Sequence, residues 1–187
     1  SPAGDKIVFT STRDGDPEVY VMNIDGSDVT RLTHEPGYDG GPFFNLDGTK
    51  IVWRANRPSG DDELAKYEEL RTDGLVRPTT LELMVMNADG SDQHAITSNG
   101  AANFGPFWHP DGRRVIFASN VGDPQGRNFD LYLADAEEAG EPERVTHSEV
   151  FDGFPMFTRD GKQLVFASNR FQAADGETNV FIADWVD

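Results

Sequence analysis

Apolar residues in this chain come in short runs bounded by Gly, Asp, Asn and Pro, and the runs recur in a fixed order. The first row reads Ile7-Val8-Phe9-Thr10-Ser11, Ile51-Val52-Trp53-Arg54-Ala55, Val115-Ile116-Phe117-Ala118-Ser119 and Leu164-Val165-Phe166-Ala167-Ser168. A second row follows: Val19-Tyr20-Val21-Met22, Leu83-Met84-Val85-Met86, Leu131-Tyr132-Leu133-Ala134 and Val180-Phe181-Ile182-Ala183. The third is Thr30-Arg31-Leu32-Thr33, His94-Ala95-Ile96-Thr97 and Glu143-Arg144-Val145-Thr146. The fourth is Gly41-Pro42-Phe43-Phe44, Gly105-Pro106-Phe107-Trp108 and Phe154-Pro155-Met156-Phe157. Runs this short, rich in β-branched and aromatic side chains, predict strands. They are apolar almost throughout instead of alternating, which predicts strands covered on both faces.

The turns agree. Asp47-Gly48, Asp111-Gly112 and Asp160-Gly161 separate the fourth row from the next first row, and Asp25-Gly26-Ser27 or Asp89-Gly90-Ser91 separates the second from the third. Asp-Gly supplies the positive φ of a tight hairpin, so each repeat reads as antiparallel strands in chain order. Row starts lie 44, 64 and 49 residues apart. Four antiparallel strands in a repeat of that length predict a β-propeller blade, and the fold class is all-β. A two-sheet sandwich would not repeat the same turns at the same offsets.

The expected blades cover approximately residues 1–40, 41–104, 105–153 and 154–187 of one propeller segment, with a helical insertion at 58–80. Ser1 to Lys6 align with the hairpin before the first row, so the first blade lacks its innermost strand. The last stops after its second row. The expected tally is three, four, four and three strands, the C-terminal part of a larger propeller, whose remaining blades or another copy of the chain would close the ring. Within the insertion, Asp61 to Arg71 reads as a helix capped by Asp61 or Asp62, with Leu64, Tyr67 and Leu70 on one stripe and Gly74 and Pro78 at its end. It is either a lid packed on its own propeller or a partner-binding helix.

These motifs resemble the TolB-type propeller repeat family. Gly105-Pro106-Phe107-Trp108-His109-Pro110-Asp111-Gly112 matches the opening of that repeat; Ser11-Thr12-Arg13, Ala55-Asn56-Arg57 and Ser168-Asn169-Arg170 match its second element; Val19 to Thr33 matches nearly throughout. The resemblance implies a six- to seven-bladed propeller. Its repeat occurs in stand-alone periplasmic proteins and as an accessory domain of peptidases, so it speaks to fold more than function. It implies a non-catalytic, periplasmic or extracellular bacterial scaffold that binds a protein partner; the alternatives are the accessory propeller of a larger hydrolase and a self-assembling extracellular subunit.

Charge narrows the choice. Sixteen Lys and Arg against 33 Asp and Glu leave a formal charge of −17 on 187 residues, a surface that repels nucleic acid. No apolar run is long enough to span a membrane as a helix. Cysteine is absent, which excludes disulfides and thiolate chemistry. No Gly-x-Ser-x-Gly elbow appears, His34-Glu35 lacks the second histidine of a zinc-protease helix, and Gly40-Gly41 leads into a strand and not a phosphate-binding helix. None of this chemistry supports an enzyme.

Binding is expected on the face opposite the Asp-Gly hairpins, because that face varies: four residues separate Arg13 from Glu18, 24 separate Arg57 from Glu82 and eight separate Arg170 from Asn179. Asp39, Asn103 and Asp152 each lie three residues before the proline of the fourth row, with His34 and His147 five residues before Asp39 and Asp152. Propeller symmetry would bring them round the channel mouth, where carboxylate and amide oxygens could take a basic partner segment or Ca²⁺. Alternatively each Asp or Asn caps its own turn. Arg13 with Glu18, and Arg57 with Glu82, are neighbours across a hairpin and are expected to form structural ion pairs. No cofactor is expected.

Overall fold

In a computed structural model, which describes residues 1–77, 79–123, 126 and 128–186, the chain forms four antiparallel sheets in succession. Pro78 lies outside the described residues. The first sheet holds β1 (Lys6–Ser11), β2 (Glu18–Asn23) and β3 (Thr30–Arg31). The second holds β4 (Tyr38–Phe44), β5 (Lys50–Asn56), β6 (Glu82–Asn87) and β7 (His94–Ala95). The third holds β8 (Asn103–Trp108), β9 (Arg114–Ser119), β10 (Asp130–Asp135) and β11 (Glu143–Arg144), and the fourth β12 (Asp152–Phe157), β13 (Gln163–Ser168) and β14 (Asn179–Asp184). Strands pair in chain order within each sheet, giving the three, four, four and three that the repeat predicts. Among the described residues no strand of the first blade meets one of the fourth, so the blades form an open arc and the ring is not closed.

Three apolar cores hold the arc together, one at each joint between blades. Val19, Leu32, Ile51, Trp53 and Met86 join the first blade to the second; Val52, Leu83, Val85, Val115, Phe117 and Tyr132 join the second to the third. Ile116, Leu131, Leu133, Leu164 and Phe166 join the third to the fourth. The repeat position shared by Trp53, Phe117 and Phe166 is buried in all three cases, each ring facing the blade before it. Among the described residues no blade packs against the matching face of Phe9, which is half-buried.

Every innermost strand carries a bulge. Its register slips between Gly40 and Phe43, between Phe104 and Phe107, and between Gly153 and Met156. The residue before each proline takes φ of 65° at Gly41, 56° at Gly105 and 52° at Phe154. Glycine accepts that conformation freely, whereas Phe154 is strained there. Asp39-Gly40 and Asp152-Gly153 therefore lie inside strands, not in hairpins.

Helix α1 (Gly60–Thr72) fills the long insertion. Its N-cap is Ser59, not an aspartate; the Ser59 amide donates to Glu63 Oε2 at 2.9 Å. Gly74, with φ of 72°, closes its C-terminus as expected. The helix lies back on the loop between β1 and β2: the Tyr67 hydroxyl donates to Asp16, and Arg71 Nη1 donates to the Gly15 carbonyl at 2.9 Å. Leu64 stays 36% exposed, so this is a polar strap anchored by Tyr67, and the Leu64–Tyr67–Leu70 stripe does not pack as a unit.

Candidate functional site

The structure sends Asp39, Asn103 and Asp152 inward. All three are fully buried, each at a joint between blades, and their backbone amides donate to the preceding blade, to the carbonyls of Pro17, Leu81 and Phe129. Asp39 Oδ1 accepts from Trp53 Nε1 at 2.5 Å and from Arg57 Nη2 at 2.7 Å. Asp152 Oδ2 accepts from Arg170 Nη2 at 2.5 Å. Asn103 Nδ2 donates to the Leu81 carbonyl at 2.7 Å and to Asn99 Oδ1 at 3.1 Å. None caps its own turn. His34 and His147 are exposed on the loops before β4 and β12 and form no hydrogen bond with these three among the described residues.

Beside each buried residue sits an acid from the start of the second row in the blade before. Glu18 is held by Arg31 and Thr33, Glu82 by Thr97 at 2.6 Å and the Gly100 amide at 2.8 Å, and Asp130 by Arg144 at 2.5 Å and Thr146 at 3.2 Å. The same threonine hydroxyls accept from the amides of Val19, Leu83 and Leu131, locking the third row to the second. The expected pairs Arg13–Glu18 and Arg57–Glu82 are therefore replaced by Arg31–Glu18 and Arg57–Asp39. Hairpin neighbours on the backbone sent their side chains to different rows. Arg13 lies over β1 and β2 while Glu18 turns to the third row, and Arg57 reaches the inner strand while Glu82 turns to the third row. The signal that would have found these partners was in the third row, where Arg31, Arg144 and the three threonines recur.

Burial sets the electrostatics. It pushes the Glu18 carboxyl above its ordinary range, against the hydrogen bonds from Thr33 and Arg31. Burial also raises Asp39, with Arg57 and Trp53 opposing and Asp16 adding repulsion. At the Asp111 hairpin the balance reverses: burial is outweighed by the amides of Arg113 and Arg114 and by the Arg114 guanidinium, bringing the pKa down to about 2.

These residues do not fit calcium. Asp39 Oδ2 and Asp152 Oδ1 are buried without a hydrogen-bond partner, yet each carboxylate is already committed to an arginine. No three His, Asp or Glu stand together in a metal-holding group among the described residues, and calcium takes six or more oxygens. The Asp14-Gly15-Asp16-Pro17-Glu18 segment disperses likewise, its acids turning to Tyr20, Tyr67 and Arg31.

A second feature escaped the sequence reading. At the hairpin end of the channel a groove of about 390 Å³ runs past Ile7, Val8, Phe43, Phe107, Trp108 and Phe157. Phe43 and Phe107 meet edge to face at 5.6 Å, and Phe43 is 39% exposed. The aromatic ends of the fourth row were the available signal.

No protein-family model matches the chain. It is 29% identical over 181 residues to a TolB homolog of Chlorobium luteolum, covering 97% of this chain and 34% of that protein. It is 26% identical over 152 residues to the uncharacterized peptidase YuxL of Bacillus subtilis, covering 71% of this chain and 23% of that protein. In structure it matches TolB from Acinetobacter baumannii with a TM-score of 0.72 at 20% identity, over 98% of this chain and 39% of that one. The chain thus spans about a quarter to two-fifths of these proteins. Its repeat and its fold together are those of a TolB-like β-propeller segment.

Proposed function

We propose that the chain is part of a non-catalytic, extracytoplasmic propeller that binds a protein partner, as its likeness to TolB over nearly the whole chain suggests. That match, over 97% of this chain and 34% of the TolB homolog, carries the reading. The partner surface is the rim of variable loops opposite the Asp-Gly hairpins. There His34 and His147 are exposed, and α1 straps the second blade to the first. Asp39, Asn103 and Asp152 serve this surface from beneath, by fixing the loops between blades. The −17 charge favours a partner with a basic face. The match to YuxL supports a second reading, an accessory propeller that borders a catalytic domain.

Photo-crosslinking in the host cell separates them. With a photoreactive residue at position 34 or 147, the first reading expects a discrete adduct with another envelope protein, and none from position 25 or 89 on the hairpin face. Peptide hydrolysis by the purified full-length protein, or equal labelling from both faces, would favour the second.

A further inference from the structure

A tyrosine of the second row pairs with an arginine of the third in two blades, Tyr20 with Arg31 in the first and Tyr132 with Arg144 in the third. The two copies agree closely. Arg31 donates Nε to the Thr33 carbonyl at 2.7 Å and Nη2 to Glu18. Arg144 donates Nε to the Thr146 carbonyl at 3.0 Å and Nη2 to Asp130 at 2.5 Å. Each tyrosine stacks on the first-row phenylalanine, Phe9 or Phe117. The loops after the two first rows also start alike. The amides of Arg13 and Val121 donate to Ser11 and Ser119 Oγ, and those of Gly15 and Asp123 to the carbonyls of Thr12 and Asn120. Asp14 and Gly122 therefore hold the same place.

They differ in one group. Asp14 sets a carboxylate beside the pair: the Tyr20 hydroxyl donates to its Oδ2 at 2.6 Å, and Arg31 Nη1 lies 4.0 Å from the same oxygen. Gly122 carries no side chain, although a Cβ there would stand 3.2 Å from the Tyr132 hydroxyl and 3.9 Å from Arg144 Nη1. Among the described residues the Tyr132 hydroxyl donates to no acceptor, and no hydrogen bond of Arg144 uses Nη1. The place opens instead into a cavity of about 770 Å³, with Ser98, Asn99, Gly122, Tyr132, Glu141 and Arg144 in its wall. Small-molecule sites have this size. The cavity lies between the β7–β8 loop and the third blade, and both blades that build it have all four strands.

We propose that this cavity binds a monocarboxylate, a small organic acid either free or at the end of a short peptide, whose carboxylate takes the place that Asp14 fills in the first blade. The Tyr132 hydroxyl and Arg144 Nη1 donate to its oxygens, while Arg144 Nη2 stays on Asp130. Charge restricts the ligand to one negative group. Arg144 already answers Asp130, Glu141 stands in the wall, and the chain carries −17, so a phosphate dianion or a dicarboxylate is repelled.

The test is saturation-transfer NMR on the protons of propionate in the presence of the full-length protein. Saturable transfer is expected, displaced by acetate and undiminished by the same concentration of phosphate. Gly122→Asp, which supplies the carboxylate from the chain itself, should abolish the transfer. Tyr132→Phe should weaken binding at least threefold. Both variants keep the Arg144–Asp130 pair, and melting curves check that they fold. A trialanine peptide is run with its carboxyl free and amidated. Tighter binding of the free peptide than of propionate assigns the acid to a peptide terminus, weaker binding assigns it to a free acid, and the amide should not bind in either case. No saturable transfer from propionate or the free peptide would overturn the proposal. So would binding indifferent to both Gly122→Asp and Tyr132→Phe, or displacement by phosphate as readily as by acetate.

Discussion

At the joint between the first and second blades, Asp39 is buried against Arg57 and lies near Glu18, which is held by Arg31. The joint between the third and fourth blades repeats this with Asp152, Arg170, Asp130 and Arg144. Between them, at the joint of the second and third blades, every partner changes together. Asn103 replaces the aspartate, Val121 stands where Arg57 and Arg170 stand, Ala95 takes the place of Arg31 and Arg144, and Glu82 relies on Thr97 and Gly100. Two joints hold two acids and two arginines each. The third holds one acid and no arginine. The lesson is that the buried position must anchor the strand through hydrogen bonds, and that its charge is tolerated only when an arginine travels with it.

Removing the arginine alone gives the largest expected effect. Arg57→Ala leaves a fully buried carboxylate uncompensated and should cost about 3–5 kcal/mol at neutral pH, read by urea denaturation. The double variant Asp39→Asn/Arg57→Val copies the middle joint and should recover most of that loss. A double variant as unstable as the single one would mean that the arginine acts by packing, and the comparison between joints would fail.

Apolar packing is common to all joints and sets the background for this comparison. Phe117→Ala removes a fully buried ring between the second and third blades and should cost about 3–5 kcal/mol. Phe9→Ala removes its half-buried equivalent on the open face and should cost clearly less in the same assay. Equal losses would show that the face of the first blade is covered in solution.

How much of this was legible beforehand differs between backbone and side chains. The fourteen strands followed from apolar runs and Asp-Gly hairpins, because period, turn chemistry and two-sided burial all act locally. The acids did not follow. Ser11 and Glu18 pair across the hairpin, which made Arg13 the apparent partner of Glu18. Yet Arg13 climbs over Phe9 and Tyr20, while Glu18 turns toward the third row. Which row a side chain reaches depends on the packing of the whole sheet, which no single strand encodes. Asp39 and Asp152 shared an offset from their prolines, and that offset marked a real repeated position. The side chains at that position are fully buried at the joints between blades. The paired change of Asp with Asn and Arg with Val was already present in the sequence as a sign of contact.

The middle joint can be converted in the opposite direction at smaller cost. Asn103→Asp replaces a donor that serves the Leu81 carbonyl with an acid beside Glu82, and no arginine answers it. The expected loss is roughly 1–3 kcal/mol. Adding Val121→Arg should reduce that loss, with chemical denaturation of single and double variants as the readout. A gain from Val121→Arg in the unmodified Asn103 background would show that the arginine needs no buried acid.

The smallest effect is in the pH dependence, and it distinguishes the first joint, with its acid and arginine, from a copy that carries an amide instead. Glu18 and Asp39 both have carboxyls raised by burial in the folded state. A raised acid holds its proton longer in the native chain than in the unfolded one. Its contribution to stability is therefore full below the unfolded pKa, about 4, and fades as pH rises through the folded value. Asp111 runs the other way. Its stability is present above about 4 and lost as pH falls toward about 2. The two trends overlap in the wild type, so a difference is needed. Subtracting the wild-type unfolding free energy from that of Asp39→Asn/Arg57→Val, pH by pH, cancels Asp111 and every surface acid. The difference should shift in favour of the double variant as pH rises from about 4 towards neutrality, because the introduced amide does not titrate and the wild type loses its bound proton over that range. The penalty of Arg57→Ala should shrink over the same range as pH falls, since protonation relieves the stranded carboxylate. A flat difference curve would mean that Asp39 ionises with no burial penalty, and the contrast between the joints would then be one of hydrogen-bond geometry alone.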